Sequence, residues 1–541
     1  MAGETKESVL KKYGRAIVHM RQQMEDRRFG LVVGAGASMD LGFPSWKELI
    51  TRIAAHPDVA GEHLLAAGGN NTSQSQLLYE HYRARTAEKA VAADRAFNKL
   101  ESMVRAGWQQ VVHSALYKDV PTDTNELLKR DQYLHKFLGI VKTTPLTINY
   151  NFDDSIQRMM DATYAADENA KKRSHSTVWS ANIQMFPRDG VIYHPNGYLP
   201  HQLVSERSSE QLVFLEDSFA DQLIDSMAGH YTGLSYHLAQ ATRLLLGLSL
   251  ADATLKHLLR HNALSHPGHY HYYVAYVADG IVLDAEYEKR VVDANFAVYN
   301  LITLFLRPKE IVALAELLHM PQKDFRHFAE EVGVPTTYRF LLTGSVGVGK
   351  STMVAHFRSL RSYDEWLEPR REGMEKDPSL VDPATIKAID EWVFRQLNLK
   401  NLAMLDATPG IHIVDRAPLD AFAFTPLAEW KEKAIHIRSA ISPGVSKRTL
   451  VPAHIVLMIG DPEVMAVRAL SKHKTTTATA LMDQQNLLRN IYEDGIKASV
   501  VDTRDKSISQ VVKEIARVVH LHPYAEMALQ TWLDERADGV S

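Results

Sequence analysis

Cysteine is absent from all 541 residues. That absence excludes a disulfide framework, a thiolate nucleophile, a Cys-ligated zinc and an iron–sulfur cluster. Long apolar runs are missing as well. No uncharged stretch reaches membrane-crossing length, and the opening MAGETKESVLKKYGRAIVHM scatters charges where a secretory signal needs an apolar core. A cytoplasmic protein with no membrane partner is expected. Charge of one sign is not in excess either: 61 Lys plus Arg stand against 65 Asp plus Glu, a formal net charge of -4. Such a balance offers no general attraction to nucleic acid, so direct nucleic-acid binding is not expected and any phosphate binding must be local. With 45% apolar and 23% charged residues the composition is that of an ordinary globular protein, and the length calls for more than one domain.

Periodicity predicts a helical, charged segment over the first 28 residues, then a buried strand at Phe29 to Val33 running into Gly34-Ala35-Gly36-Ala37-Ser38. Further strand-like runs are Pro145 to Tyr150, Val191 to Tyr193, Arg243 to Leu250 and Tyr270 to Val277, with helices predicted at Ala251 to Arg260, Glu288 to Phe305 and Pro308 to Leu318. Polar residues 321–337, with Pro321 and Pro335, read as a linker. A second series of strands follows at Tyr338 to Thr343, Gly410 to Val414, His454 to Ile459 and Ala498 to Val501. Strands alternating with helices imply α/β architecture with two open parallel sheets. The expected domains are 1–320 and 338–541.

The second half carries the more specific motif. Gly344-Ser345-Val346-Gly347-Val348-Gly349-Lys350-Ser351 satisfies G-x-x-x-x-G-K-[ST] between a strand and a helix, the setting of a P-loop. Gly344, Gly347 and Gly349 let the backbone curl its amides toward phosphate oxygens. Lys350 reaches the terminal phosphates, Ser351 and its neighbour Thr352 open the helix, and Ser351 is a ligand for Mg²⁺. Asp415-Arg416 ends a strand, where open α/β sheets bind ligands; Asp415 suits Mg²⁺ held through water and Arg416 a bidentate grip on an acceptor. Arg468, Lys472, His473 and Lys474 read as a basic lid beside a threonine-rich patch. Arg358, Arg361, Arg370 and Arg371 read as a solvated face. With its P-loop, Asp-Arg strand end and basic run, this half resembles the thymidylate and deoxynucleoside kinase group, a resemblance that implies ATP or another nucleotide with Mg²⁺ and aligns Glu368-Pro369 with that group's substrate-binding Glu-Pro.

The first half has four ordered motifs: the glycine loop at 34–38 with Gly42-Phe43-Pro44-Ser45-Trp46; Asn149-Tyr150-Asn151-Phe152-Asp153-Asp154; Tyr193-His194-Pro195-Asn196-Gly197; and Leu246-Gly247-Leu248-Ser249-Leu250-Ala251-Asp252. Position 39 is Met where a dinucleotide fingerprint needs its third glycine, which argues against ordinary hydride transfer. In order and kind these motifs resemble the bacterial sirtuin-like NAD-cleaving domains of antiphage defence proteins. The resemblance implies a sirtuin-like Rossmann-type domain that takes NAD as substrate, with Gly34, Ala35, Gly36 and Ser38 at the pyrophosphate and Gly247, Ser249 and Asp252 at the adenosine side. It makes Asn151 and Asp153 the Asn-aromatic-Asp pair, with Asn149 a competitor two residues earlier. The family's His precedes Gly, where this chain has Asn196, so His194 is expected to serve as base from the same strand face. A zinc-bearing deacetylase is disfavoured, since its four-Cys module cannot be built here.

Together these readings imply an NAD⁺ hydrolase of an abortive-infection system, gated by nucleotide or nucleoside phosphate at the P-loop domain, acting as a homo-oligomer on a phage-derived trigger. The alternative is an ATP-dependent nucleoside or nucleotide kinase whose first domain binds NAD as a regulator.

Overall fold

The computed structural model describes all residues except 1, 66–69, 93–99, 165–174, 180–188, 204–207, 210–211, 229–230, 251, 373, 375–380, 442–447, 472–475 and 540–541. It divides into two compact units: Met1–Lys12, Gln23–Ser265 and Tyr270–Phe325 form the first, and Tyr13–Gln22, His266–His269 and Arg326–Ser541 the second. Among the described residues no helix is long and apolar enough to cross a membrane.

The first unit is built on a seven-stranded sheet of β1 (Phe29–Val33), β2 (Leu146–Asn149), β3 (Ser176–Val178), β4 (Val191–Tyr193), β5 (Thr242–Leu246), β6 (His271–Tyr276) and β7 (Leu301–Leu306), in the order β3-β4-β2-β1-β5-β6-β7. Every pairing is parallel. β1, β2, β4, β5 and β7 are buried along their whole length, as befits strands covered on both faces. The order reverses at β1: the chain first builds outward on the β2 side, then returns to lay β5 on the other flank. That makes the β1/β5 edge a topological switch point, where doubly wound sheets bind ligands. Register aligns Val33 with Asn149 on one side and with Leu246 on the other, and Tyr193 with Ile148. The four motifs therefore leave the sheet side by side at its carboxyl edge.

The second unit has a five-stranded parallel sheet of β8 (Thr337–Thr343), β9 (Arg361–Tyr363), β10 (Gly410–Asp415), β11 (His454–Ile459) and β12 (Ser499–Asp502), ordered β12-β11-β8-β10-β9. The glycine loop follows the central strand β8, a P-loop kinase-like arrangement.

One expectation fails. The helix predicted over Glu288 to Phe305 ends at Tyr299; Asn300 adopts a left-handed conformation (φ 52°), and Leu301–Leu306 pairs with β6 as the edge strand. A buried apolar run of six fits a strand as well as a helix turn, and the left-handed Asn is the stop signal. The segment 321–337, expected to link the two halves, contains a helix, Gln322–Val332. Phe325, Phe328, Ala329 and Val332 recur at helical spacing, and Phe325 and Ala329 are buried.

Candidate functional site

The loop after β1 folds as two short 3₁₀ turns against the loop after β5. Gly34 N donates to Leu246 O and Gly36 N to Gly247 O, both at 2.9 Å; Ala37 N and Ser38 N donate to Gly34 O and Ala35 O. Of the residues expected at the pyrophosphate, Gly34, Gly36 and Ser38 thus have their amides engaged inside the protein. What the glycines supply is close approach. Gly247 has φ +64°, and a Cβ there would lie 2.2 Å from Ala37 N. Ser249 is exposed, whereas Asp252 caps the helix Ala253–Ser265 by accepting from Leu255 N at 2.7 Å.

Beside this loop lies a buried polar chain. Asn151 Nδ2 donates to Ser38 Oγ at 3.2 Å, and Ser38 Oγ lies 3.3 Å from a carboxylate oxygen of Asp153 and 3.3 Å from Ala35 O. The other Asp153 oxygen accepts from Ser155 N at 3.0 Å. Ser38, Asn151 and Asp153 are all buried. Burial pushes the Asp153 carboxyl up to about 6 against the hydrogen bonds that favour its charge. Asn149 shapes the turn by accepting from Asn151 N at 3.1 Å, while its Nδ2 is buried with no hydrogen-bond partner. Asp154 serves as a brace, accepting from Tyr117 Oη at 2.9 Å and His201 N at 2.7 Å.

His194 is fully buried with both ring nitrogens occupied. Nδ1 donates to Asn151 O at 2.7 Å, which leaves Nε2 as the acceptor for the Gln157 carboxamide at 2.8 Å. Burial lowers its pKa to about 4. The ring expected to act as a base is, as placed, a neutral clamp on the Asn151 backbone. Asn196 donates to Tyr150 O and accepts from Gln222 Nε2.

In the second unit, Gly344, Gly347 and Gly349 all have positive φ, and a Cβ on Gly347 would meet Met465 O at 2.4 Å. The helix they lead into, Lys350–Val354, has only five residues, so the loop amides and Lys350 outweigh any helix dipole. Lys350 is buried and donates to Gly344 O and Ser345 O at 2.6 and 3.2 Å; burial lowers its pKa to about 8. Ser351 and Thr352 are exposed in the first turn. Asp415 is buried, and its Oδ1 has no hydrogen-bond partner, which suits a hydrated cation. No cluster of three metal-ligating side chains occurs among the described residues, so a cation here would take its remaining ligands from water and phosphate.

Next to the loop is a cavity of about 290 Å³ whose lining includes Trp366, Phe394, Lys400 and Phe424. Val346, Glu365, Arg370 and Arg416 line both the cavity and the loop pocket. Arg416 has φ +75°, a costly conformation for a side-chain-bearing residue, and donates twice to one oxygen of Glu365 at 2.8 and 2.6 Å; Arg370 holds the other oxygen at 2.7 Å. Behind them Asp420 accepts from Thr343 Oγ1 at 2.6 Å and Tyr492 Oη at 3.0 Å, and Lys400 Nζ donates to Asp415 O at 2.6 Å. Sequence reading missed Glu365, Lys400 and Asp420, and took Arg370 for a solvated residue. The available signal was Asp364-Glu365 just past β9, hidden because Arg361-Ser362-Tyr363 is a short, mostly polar strand with no apolar run to mark it. Glu368 turns instead to Arg395 and Gln396 on the helix Pro383–Leu405. The expected lid residues Lys472, His473 and Lys474 lie outside the described residues; Arg468 is exposed.

No family model and no curated protein matches the chain. Solved structures similar to it in part include the following two. One is a gluconokinase from Sinorhizobium meliloti 1021, 14% identical over 38% of this chain and 95% of that chain, with a TM-score of 0.20. The other is NadR protein in complex with NAD and AMP-PNP, 9% identical over 71% of this chain and 90% of that one, with a TM-score of 0.25. Two parallel-sheet α/β units, the second P-loop kinase-like, are what the chain contains.

Proposed function

We propose that the first unit is a sirtuin-like NAD⁺ glycohydrolase, releasing nicotinamide and ADP-ribose, and that nucleotide binding at the P-loop unit gates it. The observation that carries the reading is the buried Asn151–Ser38–Asp153 chain at the switch-point edge of a parallel sheet. Cleavage breaks the bond from the ribose anomeric carbon to the nicotinamide nitrogen. The bonding pair goes to that nitrogen, cancelling its positive charge, and water adds to the carbon and loses a proton. Asn151 orients water or ribose, and Asp153 takes the proton. His194, expected as the base, holds Asn151 in place instead. The pyrophosphate lies against the 34–38 loop, at Gly34, Ala35, Gly36 and Ser38, and the adenosine side meets Gly247, Ser249 and Asp252. In the second unit Gly344, Gly347, Gly349, Lys350, Ser351 and Thr352 cradle the phosphates, Ser351 and Asp415 hold Mg²⁺, and Arg416 faces the acceptor. The buried state of Ser38, Asn151 and Asp153 fits an enzyme that must open before NAD⁺ enters. An antiphage role and a homo-oligomeric form are part of this proposal, since unrestrained NAD⁺ loss is toxic.

The test is nicotinamide release from NAD⁺ with nucleoside triphosphates, deoxynucleotides or phage lysate. Asn151→Ala is expected to abolish release, and Asp153→Asn to slow it about 10²- to 10⁴-fold, the usual worth of a general base. If no addition lifts the wild type above Asn151→Ala, the reading fails. The apolar cavity beside the phosphate loop favours a second reading, a nucleoside or nucleotide kinase with NAD as regulator. That reading requires phosphoryl transfer from ATP, lost in Lys350→Ala, with NAD⁺ left intact.

A further inference from the structure

One amide of the phosphate loop is already taken by a side chain from elsewhere in the second unit. Val346 N donates to Gln484 Oε1 at 3.1 Å, and Gln484 is buried on the helix Ala478–Leu488. The neighbouring Gln485 Oε1 accepts from Gly460 N at 2.8 Å, just past β11. Two consecutive carboxamides thus hold this helix to the loops that follow β8 and β11. Farther along, Tyr492 anchors to Asp420.

Val346 is the loop residue that lines both the phosphate pocket and the acceptor cavity. In a donor nucleotide bound along the loop, the phosphoryl group nearest an acceptor is the terminal one. The Val346 amide therefore meets the terminal phosphoryl of a triphosphate, while a diphosphate ends deeper, at the amides near Lys350. We propose that Gln484 is a terminal-phosphate sensor: its carbonyl oxygen occupies the Val346 amide in the empty loop and is displaced by a nucleoside triphosphate but not by a diphosphate. Displacement frees one of the two carboxamide ties, so the helix Ala478–Leu488 reports which nucleotide is bound. This deepens the nucleotide-binding reading of the P-loop unit and rests on it.

Gln484→Met keeps the length of the side chain and removes the acceptor. The Val346 amide is then left unpaired in the empty loop and paired only by phosphate, so the variant gains affinity for a triphosphate and not for a diphosphate. Full-length wild type and variant are titrated with Mg²⁺-AMP-PNP and Mg²⁺-ADP, and amide hydrogen exchange is followed over residues 478–488. The expected result is an AMP-PNP affinity about two- to tenfold tighter in the variant with ADP affinity unchanged, and faster exchange of the helix in wild type with AMP-PNP alone. An unchanged ratio of the two affinities, or equal exchange with both nucleotides, overturns the sensor while leaving the P-loop reading intact. Absence of binding by either nucleotide to wild type overturns both. A variant that unfolds is replaced by Gln484→Glu, whose like charge against phosphate must weaken AMP-PNP more than ADP.

Discussion

Asp153 and His194 are both buried and are displaced in opposite ways by the same cause. Loss of solvent disfavours both charged forms, so the carboxyl rises to about 6 and the imidazole falls to about 4. The consequences for stability have opposite signs. Between about pH 4 and 6 the folded chain keeps a proton on Asp153 that the unfolded chain has released, so this contribution falls as pH rises, by about 3 kcal/mol in all. For His194 the unfolded chain binds the extra proton between about pH 4 and 6.5, so its contribution is lost as pH falls. The two slopes largely cancel in the wild type. Replacing Asp153 with Asn removes one of them, and chemical denaturation across pH 4 to 7 is expected to reveal stability rising with pH more steeply than in wild type. With Asp153 as the proposed base, nicotinamide release is expected to climb with pH through about 6. A wild-type profile that is flat from pH 5 to 8, or a limb that survives in Asp153→Asn, would remove Asp153 as the base.

At the scale of elements, the contact between the β1 and β5 loops depends on having no side chain at position 247. Gly247→Ala brings a methyl to 2.2 Å from Ala37 N and imposes positive φ, whereas Gly280 has φ +81° and a methyl added there meets nothing within 4 Å. Comparing the two alanine variants by thermal unfolding separates conformational strain from overpacking. Gly247→Ala is expected to cost about 1–3 kcal/mol more than Gly280→Ala, and equal losses would show that the loops do not need to touch. This contact also marks what the sequence could and could not disclose. Strands β1, β2, β4, β8 and β11 were legible because each is a short apolar run ending at a glycine or polar motif. β3 and β9 were not, because Ser176-Thr177-Val178 and Arg361-Ser362-Tyr363 are largely polar and not fully buried, without the apolar run that marks the equally short β4. β7 was hidden because LITLFL continues an amphipathic helix until Asn300 turns the chain. Motif residues were legible one by one, but their roles were not. Whether His194 has a free nitrogen depends on Gln157, which comes 37 positions earlier, and whether loop amides are available depends on the β5 turn.

For the molecule as a whole, gating is a question of coupling free energy. Moving a population from 1% to 99% active requires a nucleotide to bind the active state about 10⁴-fold more tightly, roughly 5.5 kcal/mol. Charge-assisted hydrogen bonds from Lys350 and the loop amides to a triphosphate are of a size to supply it, since each is worth about 1.5–3 kcal/mol. Linkage is reciprocal: if nucleotide favours the state that admits NAD⁺, then NAD⁺ must tighten nucleotide by the same factor. The measurement uses Asn151→Ala, which under the proposed mechanism leaves NAD⁺ intact, and titrates Mg²⁺-AMP-PNP with and without saturating NAD⁺. Nucleotide affinity is expected to rise about 5- to 150-fold, and Lys350→Ala in the same background to lose the effect together with nucleotide binding. Unchanged nucleotide affinity in the presence of bound NAD⁺ would mean that two active sites share a chain without communicating, and the gate would then have to be sought in assembly with other copies rather than in the P-loop.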